Sequence, residues 1–229
     1  MKTIGLIGGM SWESTAEYYR LINEGVKQRL GGLHSAKCLL LSVDFAEVEE
    51  QQRLGRWDEA GALMADAASR LERGGADCVV LCTNTMHKLA GWIEEAVSIP
   101  FLHIADAAAQ RVRAAGLRRI GLLGTRFTME EDFYTARLQQ AGLEVLIPPS
   151  PARALVNAVI YDELCLGQIR AESRQAYAGI IYDMAAAGAE GILLGCTEIG
   201  LLVKSEDSPV PLFDTTLIHA EAALDFALG

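Results

Sequence analysis

The chain has 229 residues, of which 51% are hydrophobic and 22% are charged, as is typical of a soluble globular protein with a substantial core. Its formal net charge is -10 and it has no block of Lys or Arg, which argues against a nucleic-acid partner because phosphate contacts need a basic surface. No apolar run approaches the length of about 18 residues that a membrane span needs, and five cysteines without disulfide-type spacing favour the cytoplasm.

Short apolar runs alternate with longer helical patterns from the first residues onward. They predict strands at 3–9, 37–44, 78–83, 101–104, 119–125, 144–148, 191–197 and 211–214. Several of these runs place Val, Ile and Leu at consecutive positions, which is typical of strands buried on both faces of a parallel sheet. The alternation therefore predicts an α/β protein.

Helix signals lie between these strands. The segments Ser14-Thr15-Ala16-Glu17 and Thr128-Met129-Glu130-Glu131 have the pattern of capping boxes, and each is predicted to open a helix. The first of these helices is expected to end at Gly31-Gly32. Further helices are predicted at 56–73, 173–187 and 216–228, the last of which is expected to pack back on the first half of the chain.

The sequence also contains an internal repeat. Residues 75–84 align with 188–197, and Ile4–Gly8 aligns with Ile120–Gly124. Such a repeat predicts a duplication that yields two pseudo-symmetric parallel-sheet α/β domains, with the active site in the cleft between them. The expected domains are 1–98 plus 209–229, and 99–208.

The two copies of the repeat differ where their strands end, because Thr83 in the first copy occupies the position of Cys196 in the second. Ligands of open parallel sheets bind beyond the carboxyl ends of the strands, so both residues are candidate site residues. A helix N-terminus after Cys196 would favour its thiolate, although a free cysteine is commonly a small buried hydrophobe. Helix capping would also explain the residues Thr83-Asn84-Thr85.

No cofactor or metal is expected. Gly5-Leu6-Ile7-Gly8-Gly9 is not a G-x-G-x-x-G turn, so a dinucleotide site has little support. Cys78 and Cys82 would lie about 13 Å apart along one strand face, which is too far to share a zinc ion, and no other Cys or His pair has ligand spacing.

Both strand ends carry a motif, Thr83-Asn84-Thr85-x-His87 in the first copy and Gly195-Cys196-Thr197-Glu198 in the second. With these motifs the chain resembles the aspartate/glutamate racemase family, which are amino-acid racemases that work without pyridoxal phosphate. The resemblance covers essentially the whole chain, including residues 8–15, Asp214-Thr215 and His219.

The resemblance implies two acid/base groups that flank the substrate α-carbon. Family members usually carry a cysteine at both places, whereas here Cys196 takes the second place and Thr83 takes the first. A hydroxyl is a far weaker acid than a thiol. Because the resemblance puts Cys196 on the hydrogen of the L-enantiomer, it implies racemisation of L-aspartate or L-glutamate that works mainly from the L side.

The remaining candidate residues would bind the amino acid. Asn84, Thr85, Thr197 and the backbone near Met10 are expected to hold the α-carboxylate and orient the ammonium group, and Glu198 is expected to pair with that ammonium. In the family, the loop after the second strand selects acidic substrates, and here that loop carries Gln52 and Arg53. For Arg53 a solvated surface charge is an equally good interpretation, and His87 either orients the site or contacts a neighbouring loop.

Two other functions fit the same residues. One is a decarboxylase or isomerase of small dicarboxylic acids, in which a single thiol serves one face of the carbon. The other is a non-catalytic protein that binds an amino acid in the cleft. The expected partner is a small-molecule amino acid, without nucleic acid or membrane, and a homodimer is compatible with the sequence.

Overall fold

The computed structural model describes all 229 residues, which form two compact units. The first unit comprises Met1–His103 and His219–Gly229, and the second comprises Ile104–Ile218. Each unit contains one four-stranded parallel sheet with helices, so the predicted α/β fold with two parallel sheets is confirmed. None of the helices combines the length and the apolar character that crossing a membrane requires.

The first unit contains four strands and, apart from the last helix of the chain, four α-helices. In chain order these are β1 (Ile4–Gly8), α1 (Trp12–Leu30), β2 (Cys38–Ser42), α2 (Phe45–Arg53), α3 (Trp57–Arg73), β3 (Cys78–Leu81), a 3-10 helix (Thr85–Leu89), α4 (Ala90–Ala96) and β4 (Phe101–Leu102).

The second unit has the same number of strands. Its elements are α5 (Ile104–Ala114), β5 (Arg119–Gly124), α6 (Arg126–Glu130), α7 (Asp132–Gln140), β6 (Glu144–Leu146), α8 (Ser150–Asp162), a 3-10 helix (Leu164–Leu166), α9 (Ala171–Ala186), β7 (Gly191–Gly195), α10 (Ile199–Leu202), a 3-10 helix (Ser205–Asp207) and β8 (Leu212–Asp214). The last helix, α11 (Thr215–Leu228), begins in the second unit and ends in the first.

The two sheets repeat one topology. The strand order is β2-β1-β3-β4 in the first sheet and β6-β5-β7-β8 in the second. The register repeats as well, because Ile7 pairs with Leu81 in the first sheet and Leu123 pairs with Leu194 in the second. The segments that align in the sequence thus occupy equivalent places in the two sheets.

The chain passes from one unit to the other later than the sequence predicted. Phe101–Leu102 pairs with β3 and therefore belongs to the first sheet, whereas Leu212–Asp214 pairs with β7 and belongs to the second. The crossings consequently follow His103 and Ile218, several residues beyond the predicted boundaries at 98/99 and 208/209.

The central strands are the most buried parts of each unit. Every residue of β1, β3 and β7 is buried, as expected for apolar runs covered on both faces. The end of α11 joins the core of the first unit, where Ala220 and Leu224 belong to the same apolar cluster as Ile4 and Tyr18. The predicted packing of the last helix on the first half of the chain is confirmed.

The predicted starts of two helices are wrong by the same margin. Helix α1 begins at Trp12, and its N-cap Ser11 accepts a hydrogen bond at 3.3 Å from the backbone N–H of Ser14. Helix α6 likewise follows Thr125, whose hydroxyl accepts from the N–H of Thr128 at 3.3 Å. In both cases the predicted capping residue is instead the N3 residue that donates to the real cap.

Two acidic side chains at equivalent repeat positions anchor the amino ends of the central strands. Asp77 accepts a hydrogen bond at 2.6 Å from the backbone N–H of Thr3, just before β1. Glu190 accepts from the backbone N–H groups of Arg118 and Arg119 at 2.7 and 2.8 Å, at the start of β5. These two hydrogen bonds lower the pKa of Glu190. We refer to Asp77 and Glu190 as the amino-end carboxylates.

The turn between β1 and α1 leaves no space for a side chain at Gly9. Its φ is +97°, a region that L-residues rarely adopt, and a Cβ at this position would overlap the carbonyl oxygen of Val43 and lie 2.7 Å from its backbone nitrogen. This turn carries Met10 and the N-cap of α1, so its backbone path depends on a glycine.

We expect Gly9→Ala to lower the free energy of unfolding by about 2–5 kcal/mol, because it adds backbone strain to a steric clash. Gly32→Ala is the matched control, since Gly32 also has a positive φ of 56° but a Cβ there would meet nothing within 4 Å. The control should lose only about 1–2 kcal/mol. Urea unfolding measures both values, and equal losses would show that the contact with Val43 is unimportant.

Candidate active site

The backbone at the end of β3 is fixed by hydrogen bonds from three other parts of the first unit. The N–H of Cys82 donates to Ile7 of β1 at 2.9 Å, and the hydroxyl of Ser14 donates to the carbonyl of Cys82 at 3.1 Å. The Nδ1 atom of His87 lies 2.7 Å from the carbonyl oxygen of Thr83 and donates to it. Residues 82–84 are therefore held in one conformation by β1, α1 and the 3-10 helix that follows.

The Thr83 side chain is available at this turn. It is 8% exposed, and its hydroxyl makes no hydrogen bond with any other group of the chain. The helix that follows is a 3-10 helix whose N-cap, Asn84, provides no side-chain capping bond. Capping therefore does not explain these residue types, and that interpretation of the sequence is wrong.

Three of the four histidines lie together behind this turn. The ring centroid of His87 is 4.5 Å from that of His103 and 5.8 Å from that of His219, and His87 also stacks on Phe101 at 5.4 Å. All three histidines are at least nine-tenths buried. We call His87, His103 and His219 the histidine cluster.

His219 is neutral, with its proton on Nε2. That atom lies 2.7 Å from the carbonyl oxygen of Leu102, which can only accept, so Nε2 must donate. Nδ1 lies 2.8 Å from the hydroxyl of Tyr18 and accepts a hydrogen bond from it. Complete burial of the ring lowers the pKa of His219 to about 4.

The structure separates the two candidates for substrate selection. Gln52 is buried, and its Nε2 lies 2.9 Å from the sulfur of Met86, next to Thr85. The side chain of Arg53 is 60% exposed, and its Nε lies 3.8 Å from Oε1 of Glu49, one turn earlier on the same helix. Both residues belong to the last turn of α2 and not to a loop, which corrects the sequence-based placement.

Only Gln52 is therefore brought to the end of β3. The other candidates of the first unit, Met10, Asn84 and Thr85, are all buried. Met10 follows β1, which is paired with β3, so these residues follow the carboxyl ends of neighbouring strands of the first sheet. The solvated-charge interpretation of Arg53 fits its exposed position on α2.

The second unit has its own polar group at the end of β7. The Cys196 thiol donates to Oε2 of Glu198 at 3.0 Å, and the hydroxyl of Thr197 donates to the same oxygen at 2.7 Å. All three residues are buried, with Cys196 8% exposed and Glu198 2% exposed. One carboxylate oxygen thus accepts from the thiol and the neighbouring hydroxyl.

The expected activation of Cys196 by a helix N-terminus is wrong. The helix α10 that follows has only four residues, and burial, followed by the negative charge of Glu198, raises the pKa of the thiol well above its usual value. The resting side chain is therefore a protonated thiol. A base must take its proton before it can react, and Glu198 is the hydrogen-bonded acceptor in place.

Sequence reasoning missed several residues around these strand ends. It gave no role to Ser14 beyond capping, to Tyr18 or to His103, and it did not anticipate that Glu198 binds the thiol of Cys196. The Cys-x-Glu spacing was a usable signal for the last of these contacts. The structure contains no group of three or more His, Cys, Asp or Glu side chains that could hold a metal ion.

Comparison with known proteins identifies the family of this chain. The family model for Asp/Glu/hydantoin racemases matches residues 7–223. The chain belongs to the Asp/Glu/hydantoin racemase family. This membership confirms the predicted family and the predicted class of enzyme, an isomerase.

Relatives with solved structures and named amino-acid racemases are similar to most or all of the chain. A Yersinia pestis protein classed with the Asp/Glu racemases is 55% identical, with 100% of both chains covered and a TM-score of 0.93. An aspartate racemase homologue from Pyrococcus horikoshii OT3 is 32% identical, again over 100% of both chains, with a TM-score of 0.87. The broad-specificity amino-acid racemase RacX of Bacillus subtilis (strain 168) is 26% identical over 172 residues, 75% of this chain and 74% of that protein.

The buried neutral His219 predicts a pH-dependent stability. Because its folded pKa of about 4 lies below the ordinary value of 6.5, its contribution is complete above pH 6.5 and is lost as the pH falls towards 4. The loss is on the order of 3 kcal/mol. Urea unfolding at several pH values should show that His219→Gln removes this part of the pH dependence.

The exposed fourth histidine provides the control for this measurement. His34→Gln should leave the pH dependence of the free energy of unfolding as it is in the unmodified protein. If His219→Gln and the unmodified protein lost stability in parallel between pH 6.5 and 4, His219 would not carry the effect.

Proposed function

We propose that this protein racemises aspartate and glutamate without a cofactor, with Cys196 and Thr83 acting on opposite faces of the substrate α-carbon. The observation that carries the proposal is the hydrogen bond at 3.0 Å from the Cys196 thiol to the Glu198 carboxylate. It supplies a thiol that is already paired with a proton acceptor, at a strand end where ligands of parallel sheets bind. Family membership supports the reaction class, and the family's description supports the acidic substrates.

On the L side, Glu198 takes the thiol proton and the Cys196 thiolate takes the α-hydrogen. The electron pair left on the α-carbon is delocalised into the substrate carboxylate. Because the resting thiol has a raised pKa, the thiolate is a strong base once it forms. We therefore assign Glu198 to the thiol of Cys196 and not to the substrate ammonium, which revises the expectation from the sequence.

On the D side, the Thr83 hydroxyl, directly or through water, delivers a proton to the opposite face of the α-carbon. Water then returns a proton to the Thr83 alkoxide, and the proton that Glu198 had taken neutralises the resulting hydroxide, which restores the Glu198 carboxylate. This group has no hydrogen bond of its own within the chain, so it is available to a substrate. As a weak acid and base it should work far more slowly than Cys196. The proposal therefore includes an asymmetry between the two enantiomers.

Substrate binding is assigned to the buried polar groups around the two strand ends. Asn84, Thr85, Thr197 and the backbone near Met10 would hold the α-carboxylate and the ammonium group. Gln52 would donate its amide N–H to the distal carboxylate. Its burial and its contact with Met86 favour it over Arg53, which remains in solvent.

Two alternatives make different demands on the same residues. A decarboxylase or isomerase of small dicarboxylic acids would use Cys196 alone, and a binding protein would need neither Cys196 nor Thr83 for chemistry. The polar residues Asn84, Thr85 and Thr197 suit the two charged groups of an amino acid better than a plain diacid. The Cys196–Glu198 hydrogen bond favours a reactive thiol over a passive binding pocket.

The central test is α-hydrogen exchange in heavy water, followed by NMR, with each enantiomer of aspartate and glutamate. We expect the L-acid to exchange faster than it racemises, because the hydrogen that Cys196 has taken can exchange for solvent deuterium, and the thiol can then return a deuteron to the same face before Thr83 acts. Cys196→Ser should lower exchange by roughly 10²–10⁴ while ligand binding survives. Thr83→Cys should raise the rate that starts from the D-acid.

Several outcomes would contradict this proposal. An unchanged rate in Cys196→Ser would place the chemistry elsewhere. Equal initial exchange for both enantiomers in the unmodified protein would mean that a group other than Thr83 serves the D side. Release of carbon dioxide from a dicarboxylic acid would favour the decarboxylase, and ligand binding without any exchange would favour the binding protein.

The contrast between Gln52 and Arg53 gives a matched test of substrate selection. Gln52→Ala should reduce kcat/KM for aspartate and glutamate by roughly tenfold to a hundredfold relative to alanine or serine, the scale of a hydrogen bond to a charged group. Arg53→Ala, one residue away on the exposed side of the same helix, should change kcat/KM little. Equal losses for every substrate would show that Gln52 only supports the fold.

A further inference from the structure

The carbonyl group of Thr83 accepts its hydrogen bond from a side chain. It accepts from the imidazole Nδ1 of His87, at 2.7 Å, across one turn of the 3-10 helix. The backbone N–H of His87 donates to Asn84 instead, at 3.1 Å. A side chain therefore sets the orientation of the peptide plane that follows Thr83.

The His87 ring is itself held from the neighbouring strand. It stacks on Phe101 of β4 with an interplanar angle of 29°, and the edge-to-face contact with His103 comes from the residue that follows β4. Since β4 pairs with β3, the ring is fixed relative to the same strand whose end it contacts. His87 is 2% exposed, which leaves it little freedom to rotate.

The third ring of the cluster is fixed from a distant part of the sequence. His219 is bonded to Leu102 of β4 through Nε2 and to Tyr18 of α1 through Nδ1. Its centroid lies 5.8 Å from that of His87. Strand β4 and helices α1 and α11 of the first unit thus fix the ring that lies beside the imidazole of His87.

We propose that His87 is a positioning residue for Thr83, and that the histidine cluster exists to hold its Nδ1–H on the Thr83 carbonyl. The Thr83 hydroxyl has no partner within the chain, so its direction follows from the Thr83 backbone and its own side-chain rotamer. Fixing the carbonyl fixes that backbone. This inference rests on the proposed role of Thr83 on the D side.

A merely structural role would be a helix back-bond that stabilises the fold and affects both faces of the substrate alike. A positioning role affects the Thr83 side and leaves the Cys196 side, which belongs to the other unit, unchanged. Two substitutions separate the donor from the ring. His87→Phe keeps an aromatic ring in the stack and removes the donor, whereas His87→Asn removes the ring and keeps an N–H close to the position of Nδ1.

The experiment measures exchange and racemisation of L-aspartate in heavy water for both variants. We expect His87→Phe to lower the rate of racemisation roughly tenfold, the scale of one buried hydrogen bond, while exchange at the L face stays within about twofold. His87→Asn should recover a large part of the racemisation rate. His34→Phe, the same change at the exposed histidine, should alter neither rate.

Equal losses of exchange and racemisation in His87→Phe, or an Asn variant as impaired as the Phe variant, would overturn the positioning role.

A measurement without substrate keeps the inference separate from the proposed function. In ¹⁵N NMR of the unmodified protein, His87 should carry its proton on Nδ1, and a proton only on Nε2 would refute the inference even if no amino acid is turned over. If the unmodified protein exchanges no α-hydrogen while His87 shows the expected tautomer, it is the proposed function that fails. If His87→Phe does not fold, the Asn variant and the tautomer measurement still decide.

Discussion

The carbonyl groups at the end of a buried strand must find donors once the sheet stops, and the candidate site is built around this constraint. In the first unit the donors are side chains, with Ser14 serving the carbonyl of Cys82 and His87 serving that of Thr83. In the second unit the hydroxyl of Thr215 serves the carbonyl of Leu194 at 2.7 Å. An unpaired buried carbonyl costs about 1–3 kcal/mol, so the hydrogen bonds from these side chains stabilise the strand ends.

The two copies satisfy this constraint with different side chains, and the polar groups beside their strand ends differ as well. The first copy uses an imidazole, which leaves the hydroxyl of Thr83 unbonded within the chain. The second copy places a carboxylate, Glu198, against the thiol of Cys196. One strand end therefore presents a weakly acidic hydroxyl held by its backbone, and the other presents a thiol with an adjacent proton acceptor.

Much of the fold could be predicted from sequence, because the central strands are continuous apolar runs and the repeat aligned them correctly. The helix starts at Ser14 and Thr128 were misplaced because the residue three positions earlier could also cap.

The contacts of the candidate site were harder to predict from the sequence. The contact between Tyr18 and His219 joins residues 201 positions apart, so no local sequence pattern predicts it. The sequence predicted a lowered pKa for Cys196, whereas the structure raises it. The two reasons, the short length of α10 and the proximity of Glu198, become visible only in three dimensions.

The amino-end carboxylates show which part of the duplicated unit has remained the same. Asp77 and Glu190 occupy equivalent places and perform the same task, since each accepts backbone N–H groups at the start of a central strand. At the opposite end of the same sheets, the equivalent positions carry different residues, Thr83 and Cys196. Each strand thus divides into an anchored half and a variable half. Thr83 and Cys196 could therefore be exchanged between the two copies while the hydrogen bonds at the start of each central strand stay intact.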